Sequence, residues 1–165
     1  MTPAHPAHFD PRDFRNALGA FTTGVTIVTT LAGDGRRVGL TCNSFSSVSI
    51  TPPLVLWSLG VHSINLPVFI EASHFAINIL AADQSALSRR FASAVEDRFA
   101  GVAVTPSEDG VPLIDGAAAQ LECRNEARHY SGDHVIFIGE VQRYRYSVAE
   151  PLVFARGKYK ALADL

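Results

Sequence analysis

The stretch AQLECRNEARH (119–129) alternates without a break, with Leu121, Cys123, Asn125 and Ala127 on one face and Gln120, Glu122, Arg124, Glu126 and Arg128 on the other. A period of two over that length is a β-strand with one wet face. The run VIFIGEVQRYRY (135–146) pairs with it across YSGDH, giving a long antiparallel hairpin. Gly139, in mid-strand, has no side chain to pack and suggests a bulge or bend of the kind that closes a barrel.

The rest of the chain supplies partners for that hairpin. GVTIVTT (24–30) is β-branched and reads as a strand, AGDGRR (32–37) as a hairpin loop, and LVLWSL (54–59) and HFAINIL (74–80) as strands buried on both faces. Asp10 and Pro11 are an N-cap and first-turn pair, and Phe14, Ala17, Leu18 and Phe21 then form one apolar stripe, predicting a helix over 11–20. NLPVFIEA is read as a short helix, and Asp83 as the cap of a helix in QSALSRRFA; residues 93–118 carry mixed turn signals. About six strands, mostly joined by short loops, predict a mainly β fold: an antiparallel barrel with peripheral helices. Residues 1–9 read as a flexible lead-in, and 10–165 as a single domain.

Composition narrows the function classes. A formal charge of −2 with no Lys/Arg cluster beyond pairs argues against nucleic acid and anionic membranes. No segment reaches the roughly 18 to 20 apolar residues of a membrane span. Two cysteines, Cys42 and Cys123, both inside strand patterns, are too few for a disulfide framework and point to the cytoplasm. Hydrophobic residues at 47% against 18% charged hint at an oligomer.

Candidate chemistry concentrates in two places. In GLTCNSFSSVSITPP (39–53), Asn43, Ser44, Ser46 and Ser47 surround Phe45 where a sheet would bury aliphatic surface. That run is either an edge strand with a solvated middle or a polar wall for a planar heteroaromatic ligand bearing carbonyls, ring nitrogens and a phosphate. Arg89 and Arg90 offer charge for such a phosphate or form an exposed helix face. In SGDHVIFIGEV, His134 is either a surface residue at a Gly-Asp turn or a group at a barrel mouth, held in orientation by Asp133. Gly33, Gly35 and Gly39 mimic a dinucleotide fingerprint, but the spacing is GxGxxxG and a strand follows where a helix is required. The spacing of Cys123, His129 and His134 does not fit the compact zinc patterns, so no metal is expected, and no GxSxG elbow is present.

The blocks FRNALGAFTTGVTIVTT, GLTCNSFSSVSITPPLVLWSL, FAINILAADQSALSRRFA, DRFAGV, SGDHVIFIGEV and PLVFARGKY, in that order, resemble the short-chain flavin reductases. These are NAD(P)H:flavin oxidoreductase components of two-component monooxygenases, built on an FMN-binding split barrel. The resemblance spans about residues 13–160 and implies a split β-barrel, FMN or FAD as hydride acceptor, and NADH or NADPH as donor. It further implies a homodimer that supplies reduced flavin, by diffusion, to a separate oxygenase component of the aromatic-hydroxylase type. By the same resemblance, Thr41 and Cys42 belong to the block against the flavin, Asn43 and Ser44 are ring-edge partners, and Ser46 and Ser47 are phosphate-side donors. Arg89, Arg90 and Phe91 add phosphate or adenylate contacts. His134 lies near the nicotinamide, and Phe154, Arg156 and Gly157 belong to a segment that closes over the nicotinamide nucleotide. Cys42 stands where many members carry alanine.

Hydride transfer needs positioning above all, with nicotinamide C4 about 3 to 3.5 Å from flavin N5, so no strong acid or base is expected. Two other readings use the same barrel: a non-catalytic flavin carrier, and an oxidase of the pyridoxamine type. The second would need a further basic pocket, and the sequence shows no Arg/Lys cluster for it.

Overall fold

The computed structural model describes residues 10–163; the lead-in expected at 1–9 lies outside them. In chain order the elements are α1 (Pro11–Leu18), β1 (Thr23–Gly24), β2 (Thr26–Leu31), β3 (Arg37–Cys42), β4 (Ser46–Ser49), β5 (Leu54–Gly60), α2 (Leu66–Glu71), β6 (His74–Ile79) and α3 (Ser85–Ala92). Then come β7 (Val104–Pro106), β8 (Pro112–Ile114), β9 (Ala119–Ser131), β10 (His134–Tyr146), β11 (Val153–Ala155) and β12 (Lys158–Lys160).

A seven-stranded antiparallel sheet of order β3-β2-β6-β9-β10-β5-β4 forms the barrel wall. Its two edge strands, β3 and β4, are neighbours in sequence, joined only by Asn43, Ser44 and Phe45. The polar run therefore links the two free edges of the curled sheet. A second sheet, β1-β11-β12, and the hairpin β7-β8 are attached to the outside.

The long hairpin forms as its alternation requires, with β9 and β10 paired from His134–Ser131 to Tyr146–Ala119. The register shifts between Ile138 and Gly139. A Cβ at Gly139 would lie 2.5 Å from Phe75 Cζ and 2.9 Å from Cys123 Cβ, so the missing side chain lets β6 and β9 side chains cross the bend. Beneath it sits the main core. Trp57 stacks on Phe137 at 4.8 Å and meets the Phe69 edge at 4.8 Å, all three fully buried. Each such ring contributes about 1.5–3 kcal/mol by burial.

A second core lies on the other side of β2, where Ile27, Leu80, Phe91, Phe99 and Ile114 close against α3. Strands β2 and β6 are thus buried on both faces. Asn78, with no exposed surface, joins them: its Nδ2 donates to the Ile27 carbonyl and Thr29 Oγ1, and its Oδ1 accepts from the Ile114 N–H. Gly35, at φ 82°, makes the β2–β3 turn, and Gly39 admits the Phe91 ring, whose Cε1 would be 2.8 Å from an added Cβ. Two of the three glycines of the false fingerprint thus have structural uses.

Three expectations about these elements differ from the structure. Helix α1 stops at Leu18, two residues early, because Gly19 caps it and the chain turns away. Its stripe stays on the surface: Leu18 and Phe21 are exposed, the latter by 80%. Strand β5 is not buried on both faces; Val55, Trp57 and Leu59 point inward while Leu54, Leu56 and Ser58 are half-covered. Asp83 does not cap α3, since Gln84 precedes the helix and makes no side-chain cap, its Oε1 accepting instead from the Ala81 N–H.

Candidate functional site

Beside the polar run lies a cleft of about 940 Å³ between α1, the Asn43–Ser44 link and the β11–β12 turn. Strand β1 supplies its back wall. Thr23 pairs with Phe154, and Thr23 Oγ1 is buried there with no hydrogen-bond partner. A buried hydroxyl without a partner costs free energy unless something supplies one.

The β11–β12 turn has two central residues, Arg156 at φ 49° and Gly157 at φ 75°, between the paired Ala155 and Lys158. These are the dihedral signs of a type I′ hairpin, for which glycine and asparagine are preferred. An arginine there carries a conformational cost, and its side chain lines the cleft. The Arg156 N–H donates to the Gly19 carbonyl at 2.8 Å, which ties the turn to the end of α1.

Helix α1 and the turn after it line the cleft with both polar and apolar residues, Leu18 and Phe21 among the latter. Arg12, Arg15 and Asn16 fall at i, i+3 and i+4, and all three line it. Asp10 fixes the start of the helix by accepting from the Arg12 N–H at 2.8 Å. Among the described residues, the Arg12, Arg15 and Arg156 side chains form no ion pair or hydrogen bond, and no carboxylate lines the cleft. The site is strongly cationic in a chain of formal charge −2.

Of the residues expected at the ligands, this cleft gathers Asn43, Ser44, Phe154, Arg156 and Gly157. Ser44 also has a structural task, since its Oγ donates to the Ser58 carbonyl at 3.1 Å and accepts from the Ser58 N–H at 2.9 Å. That clip extends the pairing of β4 with β5 by a side chain. Thr41 and Cys42 lie behind the wall. The Thr41 hydroxyl donates to the Ser88 carbonyl at 2.6 Å, which docks α3. Cys42 Sγ lies 3.2 Å from Thr26 Oγ1, and burial pushes its thiol up. Ser46 donates to the Ser47 carbonyl, and Ser47 borders an apolar groove on the far side of β4.

Three more of the expected residues belong to α3. Arg89 and Arg90 border a separate concavity of about 780 Å³ beside α3. Arg90 is engaged, donating from Nε to the Arg98 carbonyl at 2.8 Å and from Nη2 to the Asp97 carbonyl at 3.0 Å. Arg89 lies over the Tyr159 ring, 5.4 Å from its centroid. Phe91 has no exposed surface and packs edge-on to Phe99 at 4.9 Å, so it presents nothing to a ligand and serves the core.

His134 does not line the cleft. It opens β10 opposite Gly60, on the other side of β5 from Ser44, and its Nδ1 is 2.7 Å from Asp133 Oδ1. That contact holds the Asp133 carboxyl below the usual range, with the nearby His62 adding a smaller effect. A ring whose Nδ1–H is held by the carboxylate presents Nε2 as an acceptor when neutral. Sequence reasoning missed Arg12, Arg15, Asn16 and Thr23. The signal was present as polar residues at helical spacing on a segment weighed for its apolar stripe.

A family described as "Flavin reductase like domain" matches residues 18–163. The chain is 48% identical to FMN reductase (NADH) SmoA of Agrobacterium fabrum, over 93% of this chain and 87% of that protein. It is 45% identical to the reductase component of the flavin-dependent trigonelline monooxygenase of Acinetobacter baylyi, over 90% of this chain. There it spans only 48% of the relative's length. Among solved structures, the NADH:FAD oxidoreductase SgcE6 of Streptomyces globisporus, in complex with NAD and FAD fragments, superposes with a TM-score of 0.89 at 38% identity. The match covers 93% of each chain.

Proposed function

The chain belongs to the flavin reductase-like family, and from that premise we propose that it transfers a hydride from NADH or NADPH to FMN or FAD and supplies the reduced flavin to a separate monooxygenase. It is an oxidoreductase on the split-barrel fold of that family. The single observation that carries the ligand assignment is the cleft itself. Three guanidiniums without a partner among the described residues, a partnerless buried hydroxyl and the amide of Asn43 converge on it, beside the half-buried Phe154.

When bound, the flavin accepts the hydride and the nicotinamide gives it. The chain's residues bind and orient. Asn43 and Ser44 face the ring edge from the link between β3 and β4. Phe154, Arg156 and Gly157 cover the nucleotide from the β11–β12 turn. Thr41 and Cys42 hold the wall from behind, and Ser46 and Ser47 extend it along β4. Arg89 and Arg90 act as an outer cationic rim. We assign His134 to orienting the nicotinamide carboxamide through Nε2, with Asp133 holding the Nδ1 proton. Ser44 and His134 address the same end of β5 from its two sides, at Ser58 and Gly60, which supports placing them around one pair of stacked rings.

The proposed assembly is a homodimer. An apolar groove of about 360 Å³ runs beside β4, lined by Phe45, Leu54, Leu121, Val141, Tyr144 and by Ile50, which is 88% exposed. A second copy would cover it. The proposed compartment is the cytoplasm, in keeping with two free thiols, and no described helix is long and apolar enough to cross a membrane.

Steady-state oxidation of NADH and of NADPH with riboflavin, FMN and FAD in turn tests the activity and reads both preferences. A non-catalytic flavin carrier would bind flavin and oxidise neither nicotinamide.

A further inference from the structure

We propose that Arg12 and Arg15 of α1, together with Arg156, form a phosphate clamp that recognises the phosphoester or diphosphate of a nucleotide and sets the preference for phosphorylated over unphosphorylated ligands. The inference rests on the flavin reductase reading and adds to it the N-terminal helix as a specificity element.

The geometry points to an anion of more than one charge. Arg12 and Arg15 are one turn apart on one helix face, and Arg156 approaches from a turn whose backbone is bonded to the end of that helix. Three cations brought together from two segments repel one another, and among the described residues no carboxylate lines the cleft to relieve them. Elsewhere the chain answers its arginines: Arg143 meets Glu108 and Glu122, Arg124 meets Glu126, and Arg98 donates to carbonyls. The exposed arginines of the cleft are left without such answers. Planar guanidiniums bind phosphate oxygens in pairs, and the buried Thr23 hydroxyl adds a donor deeper in the same cleft. Both the flavin phosphate and the nicotinamide diphosphate have this chemistry.

The test is equilibrium binding to wild type and to the double variant R12Q/R15Q, with FMN, FAD and riboflavin followed by flavin fluorescence and NADH by nicotinamide fluorescence. Among the described residues these two side chains bond to nothing, so thermal melting should coincide with wild type. Loss of two charge-assisted contacts predicts a rise of about tenfold or more in the FMN and FAD dissociation constants, so that the wild-type preference for FMN over riboflavin collapses toward one. A preserved FMN preference with NADH weakened about tenfold assigns the clamp to the nicotinamide diphosphate and overturns its part in the flavin preference. The charge-keeping pair R12K/R15K, which loses only the forked geometry, falls between wild type and the glutamine pair, and its residual preference fades with added salt. Unchanged constants for every phosphorylated ligand, or equal weakening of riboflavin and FMN, overturn the proposal. A wild type that prefers FMN through these arginines yet oxidises no NADH would sink the reductase reading and leave the clamp standing.

Discussion

Arg156 and Gly19, 137 positions apart in sequence (156 − 19), are joined by a 2.8 Å hydrogen bond from the arginine N–H to the glycine carbonyl. The bond fixes the distance between α1 and the β11–β12 turn, and so the width of the cleft. The turn keeps its shape because Gly157 sits at φ 75° with open space around the position of a Cβ. Gly157→Ala therefore acts through backbone strain alone. It should cost about 1 kcal/mol in stability and raise the apparent KM for NADH, measured by thermal denaturation and steady-state kinetics.

Ser44 holds both backbone groups of Ser58 at the barrel edge. Ser44→Ala leaves that N–H and carbonyl half-buried without their partner, at about 1–3 kcal/mol by chemical denaturation. The Ser58 amide should exchange faster with deuterium in the variant. Unchanged exchange at Ser58 would contradict the clip.

His134→Ala removes the group assigned to the nicotinamide while leaving the arginine-lined cleft intact. The expected outcome is a drop of roughly tenfold in kcat/KM for NADH with the FMN dissociation constant unchanged. Unchanged flavin reduction rate and unchanged nicotinamide affinity would remove His134 from the site.

Cys123 lies under the Gly139 bend, and burial, with a smaller push from Glu122, raises its thiol from 9.0 to about 12. The folded state then keeps a proton that the unfolded state loses. This contribution is fully present below pH 9 and is lost as pH rises from 9 toward 12, with a limiting slope of about 1.4 kcal/mol per pH unit. Cys123→Ala should flatten the alkaline limb of a stability-against-pH curve. In the native protein at neutral pH, both thiols should react slowly with alkylating agents.

What the sequence revealed and what it hid divide along physical lines. The β9–β10 hairpin was legible because alternation over a long run has one solution, and Gly139 because a glycine in mid-strand has few reasons to be there. The cap Asp10 was legible for the same local reason; Asp83 was misread because a 3-10 turn intervenes before α3, with Gln84 Oε1 accepting from the Ala81 N–H at the start of that turn. The polar run offered two readings; Ser46–Ser49 is an edge strand, and Asn43 and Ser44 line a cleft. Arg12 and Arg15 were hidden because their importance depends on Arg156, which reaches them only through the fold. Phe91 was assigned to the ligand from its neighbours in the motif, whereas its burial follows from Gly39, 52 residues earlier (91 − 39).

The most direct measurement mixes the protein with FMN or FAD and excess NADH or NADPH without oxygen and follows the yellow absorbance of the flavin. The account predicts rapid bleaching, at a rate that saturates with nicotinamide concentration and far exceeds the rate without protein. Flavin that binds and stays yellow would contradict it.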